Sequence, residues 1–589
     1  GFGINNTYDY SYNDEGYLYG VYFSDNMFSV NDIDAFGRIK NHSLINTSAS
    51  QVLIDTAYTY SDGLLYNVAD DTTTLVDTEN ISGFGSFDYD YLSNGNLCWI
   101  TTTRNGTSYD IAYAYDNFGQ LTTESNFYTN QTVNYTYDAG GNITSRQTYD
   151  GVWWTLDESS LVTDTYTYGD SQWKDLLTAY NGQAITYDEI GNPLTYRRGE
   201  EMIWVGGRRL SEIYFDDYGD MLFFDYDSNG MRLRKYGPRV NQYCYSNLSS
   251  SIDYIDYYYD GDTLIYELRR GGDGNEAITG YTIEYVYGVN GIAGFRIHQG
   301  NTTTDYFYIK NMLGDVLGIV DSNGTLVAEY CYDAYGKPVM ILDGNGNDVS
   351  ANYAHIANVN PIRYRGYYYD IESGFYYLNS RYYDPEIGRF INADKYVSTG
   401  KGFAGNNAFV YCSNNPVCCA DYSGDLTRGQ IHNLVLDRIV SIQPYLKRHE
   451  TCVYYNGVDA KGKWGFCDLY NPKTGEVWEL KRGSTSSSCL KDNAKGQLSK
   501  YLSGRLKYAK SVTLTAGSTT ILSGKFTYPD EKGTYYIWYS DDGDGIIYYD
   551  YVFIPKPQNK ATGQAVGAMG LLVTVGAVVV LGFMYYAAD

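Results

Sequence analysis

One short motif recurs along most of this chain: a Tyr-rich stretch, then Tyr-Asp, two or three linking residues, Gly and an apolar residue. It reads YDYLSNGNL from Tyr89, YDNFGQL from Tyr115, YDAGGNI from Tyr137, YDEIGNPL from Tyr187 and YDSNGMRL from Tyr226. The copies follow one another at roughly 20 residues where they are most regular. Each copy predicts a hairpin. An Asp before the turn accepts hydrogen bonds from turn amides, and the Gly supplies the positive φ that the turn needs. Alternation such as Tyr135-Thr136-Tyr137 sets aromatics on one sheet face. A single hairpin cannot bury that face, so the units must stack or close on themselves. With 69 Tyr and 63 Gly against 11 Pro in 589 residues, the chain is too aromatic for disorder and too long for one core.

These units resemble the YD repeats of Rhs and teneurin-type proteins, over roughly residues 1–400. The stretch Tyr306–Pro338 leads into YRGYYYDIESGFYYLNSRYYDPEIGRFINAD, Tyr364–Asp394, which is similar to the core signature that ends an Rhs shell. The resemblance implies a mainly β fold. A large, hollow, barrel-like β shell spans residues 1–359, and a core plug with its junction spans 360–424. Behind them the resemblance implies a variable toxin module, here over 425–560, and the apolar run at the end of the chain predicts a hydrophobic C-terminal helix over 561–589. Another β solenoid or a carbohydrate-binding repeat is the competing reading of the repeats.

Many Rhs proteins continue into NxP…DPxGL and cleave themselves after it with aspartates. Here the matching segment is Asn414-Asn415-Pro416 through Asp421 and Gly424, with Tyr422 and Asp425 in place of the usual Pro and Leu. Asp394, the upstream partner, is followed by Lys395. Asp394 and Asp421 are therefore candidates for self-cleavage, since two close carboxylates can share a proton and act as acid and base. The competing reading is a plain turn that ends the shell.

Residues 425–560 carry 19 Lys and Arg against 14 Asp and Glu, behind an array (1–424) with 24 against 55. A basic module behind an acidic one suggests a polyanionic target. A helix is expected over 428–445, strands over Trp464–Tyr470 and Glu476–Arg482, a basic helix over Asp492–Lys510 and a further strand over Ser511–Leu522. The turn Asn471-Pro472-Lys473-Thr474-Gly475 would bring Asp468 beside Glu479, and Glu479 shares a strand face with Lys481. Two carboxylates there invite a hard divalent cation, and a lysine can hold an attacking water.

The pattern resembles the PD-(D/E)xK, restriction-endonuclease-like superfamily. That resemblance implies a small α/β metal-dependent endonuclease using Mg2+ (or Mn2+). Asp468, Glu479 and the Leu480 carbonyl would be the metal ligands and Lys481 the catalytic lysine. Gln497 and Tyr501 would line the site as a Q-x-x-x-Y pair. Glu450, Asp437 and His432 are possible accessory residues. Lys491, Lys495, Lys500, Arg505, Lys507 and Lys510 are placed to meet phosphates, or simply form a solvated face.

Ala565–Ala588 is 24 residues without a formal charge, long enough to span a bilayer. Nine cysteines at these spacings predict neither a disulfide framework nor a zinc site. The chain opens without Met or a signal peptide and reads as a fragment of a longer protein. The expectation is a secreted or cell-surface toxin fragment, membrane-associated through 565–588, whose last module hydrolyses nucleic acid, DNA favoured, in a target cell's cytoplasm. A cognate immunity protein is the expected partner, and the secretion machinery is left open. The rival is a surface adhesion or carbohydrate-binding YD-repeat protein anchored by its C-terminal helix, without catalysis.

Overall fold

The computed structural model describes most of residues 8–421 with their side chains and, from 447 to 555, the backbone of the strands alone. The repeats form two large antiparallel sheets in simple sequential order. Fifteen strands run from Tyr8–Tyr12 to Gln183–Ala184, and fourteen from Thr186–Tyr187 to Pro338–Asp343.

The turn chemistry is as the motif predicts. Asp116 accepts from the backbone N–H of Phe118 (2.8 Å) and Gln120 (3.0 Å), and Gly119 sits at φ +83°. Asp188 accepts from Ile190 and Asn192 beside Gly191 at φ +84°. A further clamp was not foreseen: the Asn or Gln four residues after the Asp donates its amide to the second carboxylate oxygen. Gln120 does so to Asp116 at 2.7 Å, Asn142 to Asp138 at 2.9 Å and Asn192 to Asp188 at 2.7 Å. In the YDYLSNGNL copy the turn lies two residues later than the motif suggests. Leu92 holds the Asp place, its N–H bonding the Asn96 carbonyl, and Asp90 stays in the strand Gly85–Tyr91.

The motif Tyr explains its own abundance. Its ring is buried or half-buried in the core, and its hydroxyl donates to a carbonyl on the strand before it. Tyr115 bonds Leu97 (2.6 Å), Tyr226 bonds Leu210 (2.7 Å) and Tyr332 bonds Val316 (2.8 Å). Each repeat is thus stitched to its predecessor by a polar atom that could not stay buried unpaired.

The expected closed, barrel-like shell is not what the described residues form. The strands shorten to two residues around 179–187, the sheet path breaks there, and the second sheet returns against the first. Glu79 accepts from the Met312 N–H at 3.0 Å and Glu124 from the Ala334 N–H at 2.9 Å, while Arg146 pairs with Asp333 at 2.8 Å.

The plug packs into the same core as both sheets. It comprises a short helix, Ile356–Val359, and a four-stranded sheet, Tyr368–Asp370, Phe375–Tyr377, Tyr382–Asp384 and Arg389–Phe390. Buried ion pairs key it to the sheets. Arg197 pairs with Asp384 (2.5 Å), Arg232 with Asp370 (2.5 Å), and Lys235 with Asp370 (2.8 Å) and Glu372 (2.7 Å). Burial alone would push the Asp370 carboxyl up, but Arg232 and Lys235 outweigh it and hold it below the ordinary carboxylate value.

Behind the plug, the described strands of residues 447–555 form one seven-stranded and one three-stranded sheet. Two expectations change there. The single strand expected over Trp464–Tyr470 is two. Trp464–Phe466 pairs with Cys452–Tyr455 in the small sheet, and Leu469–Tyr470 pairs with Glu476–Arg482 in the large one. Gly504–Leu506, inside the expected basic helix, is a strand against Cys452–Tyr455. The described residues of this module include no helix, and the expected helix over 428–445 and the hydrophobic stretch 565–588 lie outside the described residues. Among the described residues no helix is long and apolar enough to cross a membrane.

Candidate functional site

Two of the predicted site residues meet in the core. Asp394 follows the plug strand Arg389–Phe390, and its N–H bonds the Ala408 carbonyl at 2.9 Å. Asp421 lies in the junction. Both are buried, and both carboxylates lie 3.4 Å from the same terminal nitrogen of Arg381. Arg381 is held over the Phe390 ring, 3.4 Å from its centroid, and donates to the Ala408 carbonyl at 3.3 Å.

The junction reaches this point by a fixed route. Cys412, Ser413 and Asn414 all adopt positive φ, between 51° and 60°, an uncommon run of left-handed residues without glycine. Contacts with the repeat turns fix it there. Asn414 donates to the Gln120 side chain (2.8 Å) and the Gly141 carbonyl (2.7 Å), and Asn415 to Asn96 (3.2 Å). Arg365 and Tyr364 hold the Pro416 carbonyl at 2.5 and 3.1 Å. Asp421 donates its own N–H to the Tyr367 hydroxyl at 2.7 Å, and that hydroxyl lies 3.0 Å from the hydroxyl of Tyr411.

Arg381 and Tyr367 were missed in the sequence. Both lie inside the core signature, in NSRYYDP and YRGYYYD, where a charged or hydroxyl-bearing residue surrounded by aromatics signals a buried partner. Burial pushes the Tyr411 phenol well up, and it also raises the Cys412 thiol, which Asp421 raises further. Neither group is poised to act as a base.

The second set of predicted residues is described only in part. Glu479, Leu480 and Lys481 lie on Glu476–Arg482, an interior strand of the seven-stranded sheet. One neighbour is antiparallel, with Leu469 opposite Trp478 and Tyr470 opposite Val477. Another is parallel, with Glu479 opposite Ile546 and Lys481 opposite Tyr548. Asp468, Gln497, Tyr501, Glu450, Asp437 and His432 lie outside the described residues. Among the described residues no group of His, Cys, Asp and Glu is arranged to hold a metal ion.

No family model matches the chain. It is 29% identical over 299 residues to the tRNA nuclease WapA of Bacillus subtilis (strain 168), a match covering 50% of this chain and 11% of that protein. It is 31% identical over 301 residues to the tRNA3(Ser)-specific nuclease WapA of Bacillus spizizenii, covering 50% and 11%. The double-stranded DNA deaminase toxin A of Burkholderia cenocepacia (strain H111) matches at 24% over 351 residues, covering 56% of this chain and 22% of that protein. The match thus spans about a tenth of the WapA proteins' own length. Among solved structures, the Photorhabdus luminescens Tc holotoxin pore with a TccC3 variant superposes with TM-score 0.52 at 19% identity, over 71% of this chain and 21% of that one. The TcdB2-TccC3 complex gives 0.51 at 19%, over 71% and 22%. At that identity the likeness is one of fold: the large antiparallel sheets are built as in these toxin complexes.

Proposed function

We propose that this chain is a piece of an Rhs-type toxin whose β sheets and plug carry a C-terminal module that hydrolyses nucleic-acid phosphodiester bonds. The observation that carries the reading is the setting of the E-x-K strand. Glu476–Arg482 is interior to its sheet, and its antiparallel neighbour sets Leu469 opposite Trp478, one position before Glu479. The similarity to proteins named as tRNA nucleases and a DNA deaminase toxin supports a nucleic-acid target. DNA is favoured by the superfamily resemblance and tRNA by the WapA likeness, so both are substrates to test.

In this reading Asp468, Glu479 and the Leu480 carbonyl would hold Mg2+ or Mn2+, which offsets charge developing on the phosphate. Lys481 orients a water, and Gln497 and Tyr501 line the cleft. A cognate immunity protein with an acidic face would cover the basic surface. Expression of the full chain in a bacterial cytoplasm tests this: growth arrest that Lys481→Ala abolishes supports it, and equal growth with and without the substitution refutes it.

The convergence of Asp394 and Asp421 supports a second activity, self-cleavage in the segment after Asp421. One carboxylate takes a proton from water, whose oxygen adds to the peptide carbonyl. The other gives a proton to the leaving amine as the C–N bond breaks. Asp421→Asn should leave the chain whole where the wild type yields two fragments.

A further inference from the structure

We infer that Tyr367 is a positioning residue for self-cleavage, setting Asp421 through its backbone; this inference rests on the self-cleavage reading above. The Asp421 carboxylate is held from a segment of little regular structure: residues 415–421 carry a turn at 416–418 and a single bridge residue at Ala420. A chain of two phenols holds its backbone. The Asp421 N–H donates to the Tyr367 hydroxyl at 2.7 Å, and the Tyr367 and Tyr411 hydroxyls lie 3.0 Å apart.

All three residues are buried, Tyr411 completely. Both rings are themselves locked. Tyr367 packs edge-on to Tyr376 and Tyr364, and Tyr411 lies against Tyr383 at 4.1 Å between centroids and edge-on to Phe390. Phe390 is the ring that carries the Arg381 guanidinium. The same aromatic cluster therefore sets both sides of the site: Arg381 through the Phe390 face, and Asp421 through the Tyr367 hydroxyl.

A backbone amide pinned at 2.7 Å leaves its side chain few placements. Without the hydroxyl, the Asp421 N–H would be buried with its acceptor gone, and the segment would shift to recover a partner. The carboxylate would then drift from Arg381. A carboxylate that loses a cationic neighbour binds its proton more tightly. The mark of this role is thus a change in rate together with a change in the pH at which the rate is half-maximal.

The experiment follows cleavage of the full chain on denaturing gels after a cell-free translation pulse, across pH 5–8. Four proteins are compared: wild type, Asp421→Asn, Tyr367→Phe and Tyr330→Phe. Tyr330 is an equally buried tyrosine whose hydroxyl bonds the Ala357 carbonyl. The expected result is no cleavage by Asp421→Asn. Tyr367→Phe should be about tenfold slower, with its pH profile moved to higher pH, and Tyr330→Phe should keep the wild-type profile.

A Tyr367→Phe protein with wild-type rate and profile, beside an inert Asp421→Asn, overturns this inference alone. A wild type that stays whole, or an Asp421→Asn that cleaves normally, overturns the self-cleavage reading and the inference with it. If Tyr367→Phe does not fold, difluorotyrosine at 367 keeps the ring and weakens the hydroxyl as an acceptor. It should slow cleavage severalfold, and an unchanged rate overturns the inference.

Discussion

Asp370→Asn should loosen the plug more than any single surface change. In the wild type the Asp370 carboxylate is fully buried and accepts from Arg232 at 2.5 Å and from Lys235 at 2.8 Å. The substitution leaves two buried cations with Glu372, bonded to Lys235 at 2.7 Å, as the remaining carboxylate among these partners. Breaking a buried pair in this way costs about 3–5 kcal/mol. The rings of Tyr377 and Tyr257, 4.3 and 4.6 Å from the Arg232 guanidinium, still offer it their faces, which places the loss near the lower end.

Amide hydrogen exchange of the full chain reads this locally. About 3 kcal/mol corresponds to exchange faster by about two orders of magnitude in Tyr368–Asp370 and Arg232–Gly237, if opening there is sub-global. The sign with pH follows from the depressed Asp370 carboxyl. Its contribution is present above the ordinary carboxylate value and is lost as pH falls through the lower folded value, and the variant lacks that dependence. An acceleration below about fivefold, roughly 1 kcal/mol, would refute the claim that these ion pairs key the plug.

Three further substitutions probe the sheets. Burial raises the Glu79 carboxyl to about 7, so its contribution is full below its ordinary value of 4.5 and is lost as pH rises through 7. Glu79→Gln should therefore be more heat-stable than the wild type at pH 8 and not at pH 5, and equal differences at both would contradict this. Tyr226→Phe removes the hydroxyl that bonds Leu210 at 2.7 Å and should cost about 1 kcal/mol, read as faster exchange in Arg209–Tyr214. Gly191→Ala should cost about 2 kcal/mol or more. The residue sits at φ +84°, and a β-carbon there would lie 2.8 Å from Ala393 and 2.9 Å from Trp173; an unchanged melting temperature would contradict the close packing.

The repeats were legible because their chemistry is local. Asp, Gly and the closing apolar residue of one hairpin lie within a few positions, so the sequence alone places the turn at Asp116, Asp138, Asp188 and Asp227. The slip at Asp90 has the same origin: two tyrosines flank it, and the motif does not say which precedes the turn. What holds the plug was not legible. Arg232 and Asp370 are 138 positions apart and Arg197 and Asp384 are 187, and no local pattern pairs them. Sheet closure is equally non-local, and the barrel expected from the resemblance gave way to two sheets that break at 179–187. The junction was half legible. Its aspartates stood out, whereas Arg381 and Tyr367 lay hidden among many aromatics. In the last module the strand Glu476–Arg482 was readable as the return strand after the turn residues Asn471-Pro472-Lys473-Thr474-Gly475. The short strand Gly504–Leu506 was not, because it sits in a stretch whose basic residues have helical spacing.

The central claim is nucleic-acid hydrolysis by the module behind the plug. Its most direct measurement incubates the purified full chain with plasmid DNA and, separately, with tRNA in Mg2+, alongside Asp468→Ala, Lys481→Ala and a chelator control. The account predicts cleavage of at least one substrate by the wild type, with a loss of about a hundredfold or more in either variant and in chelator. Both nucleic acids left intact by the wild type, or cut equally by all three proteins, would contradict it.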